Sequence, residues 1–175
     1  YCVNLLEGGK IAKDMEIAKQ ISDFIIVCPH WGTEYTHNET AEQEKWAEYF
    51  TELGANLIIG THPHVIEPVK WVESSNGNRA FVYYSIGNFI NATSDYGRGV
   101  ADRMIGAMAN VIIARDADWN IYIKDYSVSP LVTQMLSGKG QITTYKLSDY
   151  SEELAAQNEI ILRDSVFSLQ YCKEL

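Results

Sequence analysis

The sequence predicts an α/β fold that turns α+β toward its C-terminal half, and three observations lead there. Apolar residues recur at helical spacing over residues 9–23, where Ile11, Met15, Ala18 and Ile21 share a face. Two short, continuous apolar runs flank a second helical stretch. From residue 65 onward the pattern changes to alternating segments separated by turn residues.

The first apolar run, Phe24-Ile25-Ile26-Val27-Cys28, is halted by Pro29 and reads as a strand buried on both faces. The next helix is predicted to start at Asn38 as N-cap and to end at Leu53, with Glu39 and Glu42 in its first turn and Gly54 as the C′ residue. Asn56-Leu57-Ile58-Ile59-Gly60 then reads as a second buried strand. Strand, helix and strand form a βαβ unit, in which the two strands run parallel and the crossover is right-handed. Segments 65–72 and 79–85 form a hairpin around Ser74-Ser75-Asn76-Gly77-Asn78. Segments 107–115, 120–128 and 141–147 add antiparallel strands, punctuated by Asp116-Ala117-Asp118 and Gly138-Lys139-Gly140. Residues 151–167 are predicted as one closing helix, capped by Ser151 and burying Leu154, Ile161, Leu162 and Phe167. With no repeat or linker, residues 1–175 are expected to form a single domain, in which 91–103 is a mobile surface loop.

Composition narrows the function classes. The chain is 46% hydrophobic, 11% aromatic and 21% charged, the balance of an ordinary globular domain. A net charge of −9 and a pI near 4.8 exclude nucleic acid as a partner, since phosphate backbones require clustered Lys and Arg. The odd set of cysteines, Cys2, Cys28 and Cys172, has no zinc spacing and describes no disulfide framework. Cys28 is expected to be buried, while Cys2 and Cys172 form either a terminal bridge or two free surface thiols. No apolar run approaches the ~20 residues that span a bilayer. The chain starts at Tyr1 in what reads as domain interior, and is expected to be a fragment or a processed product.

Chemistry concentrates in the βαβ unit. All 4 histidines lie between positions 30 and 64. His30 follows the first strand, and His62 and His64 follow the second, so both loops leave the carboxyl edge of one sheet, where α/β ligand sites gather. Pro63 stiffens the turn between two imidazoles, the commonest ligands of zinc and its first-row neighbours. The alternative for this trio is a hydrogen-bonded loop cluster. Trp31 and Gly32 suit a site wall, though core packing accounts for Trp31 equally. Glu34 is open to four roles: ligand, orienting partner of His30, general acid or base, or surface ion pair. Asn88, in a Gly-Asn turn, either presents its amide to the site or stabilises the turn. His37 precedes a helix and is expected to face solvent. Ser85 lacks a nucleophile elbow, and Gly97 and Gly99 lack the context of a dinucleotide fingerprint.

Three ordered motifs, Pro29-His30-Trp31-Gly32-Thr33-Glu34-Tyr35, Gly54-Ala55-Asn56-Leu57-Ile58-Ile59-Gly60-Thr61-His62-Pro63-His64-Val65 and Tyr84-Ser85-Ile86-Gly87-Asn88-Phe89, resemble the CapA family of poly-γ-glutamate capsule biosynthesis proteins. The likeness covers roughly residues 10–130 and weakens beyond. That family is related to the calcineurin-like metallophosphoesterases, so the resemblance implies part of a layered α/β/β/α sandwich around a two-metal site. It implies divalent ions (Mn, Zn or Fe), with His30, His62 and His64 as metal ligands and His30, Glu34 and Asn88 as catalytic-site residues. Thr61 between Gly60 and His62 departs from the phosphoesterase pattern, as it does in the CapA family. The upstream acidic motifs of such enzymes have no equivalent here. Two divalent ions need bridging carboxylates to offset their repulsion, so this chain alone is expected to bind metal weakly and to be the C-terminal portion of a longer protein.

The resemblance therefore implies a metal-dependent hydrolase or transferase site that is incomplete in this chain. Its expected partners are a γ-glutamyl polymer or related anionic substrate, capsule synthesis and export membrane proteins, and the missing N-terminal half. Its expected location is the extracellular face of the cell membrane. The alternative is a non-catalytic module that binds, exports or anchors the polymer.

Overall fold

Ile11 and Met15 line the buried side of helix α1 (Gly8–Ile21), and Ala47 and Phe50 that of α2 (Ala41–Glu52). Both helices lie on one face of a four-stranded sheet in a computed structural model that describes residues 4–91, 93, 95–136, 138 and 140–175. The strand order is β1 (Ile26–Val27), β2 (Leu57–Ile59), β4 (Arg79–Tyr83) and β3 (Val69–Glu73), with β1, β2 and β4 parallel and β3 antiparallel. The period of two along a strand divides the core. Ile58, Ala80 and Val82 face the helices, whereas Leu57, Phe81 and Tyr83 face Ala109, Val111 and Ile123 of a second sheet. That sheet is antiparallel, formed by β5 (Ile105–Arg115), β6 (Ile121–Leu136) and β7 (Gln141–Lys146). The α/β class, the parallel βαβ unit and the hairpin that follows it are all present. The layers run helices, mixed sheet, antiparallel sheet.

Several elements differ from expectation for identifiable reasons. β1 is an edge strand with β2 as its neighbour, so Ile26 is 49% exposed and Cys28 is exposed instead of buried. Among the described residues Cys172 is the buried thiol, grouped with Phe167, Leu169 and Ile160, and burial pushes its pKa up to about 12. Helix α2 begins later than predicted because Thr40, not Asn38, makes the capping box: its hydroxyl accepts from Gln43 N while the Gln43 amide oxygen accepts from Thr40 N at 2.8 Å. The predicted closing helix is broken into α3 (Glu152–Gln157) and a 3-10 turn (Glu159–Leu162), and a further helix, α4 (Leu169–Glu174), lies beyond its predicted end. Asn158 causes the break. It is fully buried in extended geometry, accepts from Met135 N and Ile160 N, and donates to Thr133 O at 3.0 Å, so its amide serves β6 rather than a helix surface. Leu162 is left 75% exposed. The predicted loop 91–103 ends in core, since Val100 and Ala101 are buried and a 3-10 turn (Ala101–Met104) leads into β5. Cys2, together with Ala92 and Ser94 of that loop and Lys139 of the predicted turn, lies outside the described residues.

The capping glutamine also docks the helix. Gln43 is fully buried and donates through Nε2 to Glu67 Oε2 at 2.6 Å, and its amide occupies the space beside Gly32. A Cβ on Gly32 would lie 2.7 Å from that amide, at a φ of +88° that favours glycine anyway. Glu67 is 6% exposed with Oε1 unpartnered among the described residues. Burial raises its pKa from 4.5 to about 7, opposed by the Gln43 bond and by His37.

Gly60, just past β2, leaves no room for a side chain: a Cβ there would meet Tyr84 O at 2.0 Å and Trp31 Nε1 at 2.4 Å. Gly60→Ala is expected to cost about 3 kcal/mol or more, read as a drop in urea midpoint. For Glu67, the folded-state pKa lies above the unfolded one. Its contribution to stability is therefore fully present below about pH 4.5 and lost as pH rises through about 7. Glu67→Gln, which keeps an acceptor for Gln43, should raise the urea midpoint at about pH 8 and leave it nearly unchanged at about pH 5.

Candidate functional site

Pairing between the parallel strands continues past their ends and carries the histidines with it. His30 and Thr61 form an isolated parallel bridge, with Thr61 N donating to Pro29 O and Trp31 N to Thr61 O, each at 3.0 Å. Trp31 turns inward. It is 4% exposed, stacks on Tyr84 at 5.9 Å between centroids, and donates its indole N–H to Tyr84 O at 2.8 Å. Core packing, one of its two expected roles, is what places it there. Its neighbour His30 projects to the open edge of the sheet, where it meets His62 with ring centroids 4.6 Å apart.

Hydrogen bonds fix the tautomer of each imidazole. The Thr61 hydroxyl donates to Pro29 O, so its oxygen accepts from His30 Nδ1 at 3.2 Å. His30 Nε2 is then an acceptor, and His62 Nδ1 donates to it at 3.0 Å. His62 Nε2 keeps its lone pair. In the same way Asn88 Nδ2 donates to Arg103 O at 2.9 Å, which aims the amide oxygen at His64 Nδ1, 2.8 Å away. His64 Nε2 keeps its lone pair as well, and stands 3.8 Å from Glu34 Oε1. Burial, then the nearby rings of His62 and His64, hold the His30 imidazole below the usual histidine range.

Glu34 reaches this cluster from a turn clamped to the histidine loop, where Tyr35 N donates to Pro63 O at 2.7 Å. One ligand atom each from Glu34, His62 and His64 fall within 4.8 Å of one another. His30 stands behind His62 and outside that trio. The backbone is unusual here: His62, His64 and Tyr35 have φ of +110°, +62° and +65°, a region that non-glycine residues occupy at a cost. Asn88 is thus at the site, through its bond to His64. His37 is not the solvent-facing residue expected: it is half-buried, with Nδ1 3.1 Å from Ile66 O and Nε2 3.0 Å from Asp102 Oδ2. Ser85 is buried on Val65 O at 2.7 Å, consistent with its lack of an elbow.

Sequence reasoning missed Arg103 and the part played by Thr61. The Arg103 guanidinium lies 3.5 Å over the Tyr35 ring, and its carbonyl orients Asn88. Thr61 was visible as an odd residue before the His-Pro-His turn. Arg103 carried no signal, because it reaches the site from a segment beyond all three motifs.

Residues 4–93, just over half of the chain, match the family model described as bacterial capsule synthesis protein PGA_cap. Among curated proteins, the chain is 40% identical over 73 residues to the PGA biosynthesis protein CapA of Bacillus subtilis (strain 168), covering 42% of this chain and 18% of that protein. It is 32% identical over 81 residues to the capsule biosynthesis protein CapA of Bacillus anthracis, covering 46% and 18%. The matched stretch is thus less than a fifth of either relative's length. His30, Glu34, His62, His64 and Asn88 all fall within the family match, and Arg103 falls outside it. With the motifs in their expected order at the edge of one sheet, the chain belongs to the bacterial capsule synthesis PGA_cap family.

Proposed function

We propose that this chain carries the histidine-rich side of a divalent-metal site that acts on a γ-glutamyl polymer or a related anionic substrate during capsule synthesis. One observation carries the reading: Glu34, His62 and His64 offer ligand atoms within 4.8 Å of one another. The donor set fits a first-row divalent ion, with two neutral imidazoles and one carboxylate. Each imidazole is oriented through its other nitrogen, His62 on His30 and His64 on Asn88, as metal-bound histidines ordinarily are. The positive φ at both histidines supports a site role, since strain of that kind gathers where function holds it in place.

A bound ion would polarise an ester, amide or phosphoryl oxygen of the substrate. The chain's own residues then have distinct tasks. Glu34, His62 and His64 would hold the ion. His30, with its own proton on Nδ1, accepts a hydrogen bond from His62 Nδ1, and Asn88 fixes the ring of His64. This makes His30 an orienting residue rather than a ligand. Among the described residues this trio supplies a single carboxylate, which falls short of what two ions require and favours the alternative of a polymer-binding module for this chain taken alone. No helix of the described residues is long and apolar enough to cross a membrane. The extracellular face of the membrane, where a capsule polymer is handled, is the proposed place of action, alongside capsule synthesis and export membrane proteins and the remainder of a longer chain.

Calorimetric titration with Mn²⁺ and Zn²⁺ tests the reading. One ion per chain is expected, with affinity falling as pH is lowered through the histidine range. His62→Ala and His64→Ala should abolish uptake, while His30→Ala and Asn88→Ala should weaken it by about 10–100-fold. Failure of the unsubstituted chain to bind either ion at millimolar concentration would sink the reading. Relief of backbone strain gives a second check: His62→Gly should be more stable than His62→Ala by about 1 kcal/mol while both lose the ion.

A further inference from the structure

A polar cleft of about 180 Å³ opens beside His64, lined by Asn88, Asn91, Tyr35, Asp95 and Arg103. It is smaller than the roughly 300 Å³ at which pockets begin to enclose drug-sized ligands, and suits one small polar substituent. Arg103 is its fixed cation. The side chain is 13% exposed and the guanidinium is stacked 3.5 Å over Tyr35, so little freedom remains to be lost on binding.

The donors of that guanidinium are underused. Its hydrogen bonds among the described residues run from Nη1, to Thr93 Oγ1 at 3.3 Å and to Asp95 Oδ2, and the buried Nε has no partner there. Asp95 is 58% exposed on the cleft rim, and an ion pair that open to water contributes little to stability. Its carboxylate occupies a position that a carboxylate from outside can take over. The backbone of the same arginine joins the cleft to the metal-site residues, since Arg103 O accepts from Asn88 Nδ2 and Asn88 Oδ1 accepts from His64.

We propose that this cleft is a carboxylate-recognition subsite, in which Arg103, braced on Tyr35, takes one free α-carboxylate of a γ-linked glutamyl chain in place of Asp95. A γ-linked backbone consumes the side-chain carboxyl and leaves every α-carboxylate pendant, so a single arginine reads one residue of the polymer. The subsite also answers the objection from net charge. A chain of −9 disfavours broad polyanion contact, but one stacked guanidinium recognises one carboxylate at a defined distance from His64. This rests on the γ-glutamyl substrate class proposed above.

The test is a calorimetric or NMR titration of the chain with a γ-linked glutamate oligomer, in chelator so that metal plays no part. Binding is expected, weakened at least tenfold by Arg103→Gln or when the α-carboxylates of the oligomer are amidated. Asp95→Asn, an exposed and conservative change, should tighten it several-fold by removing the internal competitor, and keeps the test decisive if Arg103→Gln fails to fold. The proposal is overturned if the oligomer does not bind, if the amidated oligomer binds equally, if Asp95→Asn leaves affinity unchanged, or if inorganic phosphate displaces the oligomer at equal concentration. Loss of oligomer binding leaves the metal reading standing, and absence of metal uptake leaves this one standing.

Discussion

The indole N–H of Trp31 reaches the carbonyl of Tyr84 across Gly60, and the site depends on that crossing. Three segments distant in sequence meet at this point: the loop after β1, the end of β2 and the end of β4. Because Gly60 has no Cβ, the Trp31 ring can lie against the sheet instead of above it. With Trp31 turned in, chain alternation turns His30 out. Pairing of His30 with Thr61 then sets His62 within hydrogen-bonding reach of His30. A side chain at position 60 would move the loop and the imidazole together.

The buried polar groups serve the same end. Gln43 uses its amide on the start of α2 and on Glu67, which ties the helix to the segment between β2 and β3 while the amide packs beside Gly32. His37 ties that loop to Ile66 O and Asp102, and Tyr171 of α4 donates to the other oxygen of Asp102. Hydrogen bonds therefore run from the histidine-bearing edge to the last helix. Asn158 plays a comparable part at the far end of β6, where one amide replaces the continuity of a helix. Gln43, His37 and Asn158 each place a buried or half-buried side chain on at least one backbone group, which makes them specifying rather than costly.

Much of the fold was legible because its signals are local. The period of α1, the short apolar runs of β1 and β2, the Asn-Gly turn and the alternation of β5 all reflect neighbours in sequence. The errors share a cause, because each depends on what a residue meets across the fold. Ile26 and Cys28 look like core until β1 proves to be an edge. Asn158 looks like a helix surface residue until β6 claims its amide. Asn38 and Thr40 are both able caps, and the choice between them rests on where Gln43 can bury.

By itself the sequence determined the family, the parallel βαβ unit and the identity of the residues at its carboxyl edge, since motif order and strand ends are written along the chain. Only the tertiary structure decided their relations. It hydrogen-bonded His30 to His62, brought a Glu34 oxygen within 4.8 Å of ring nitrogens of His62 and His64, and stacked Arg103 on Tyr35 beside His64. Those outcomes follow from contacts between segments far apart in the chain, where no periodicity or spacing carries information.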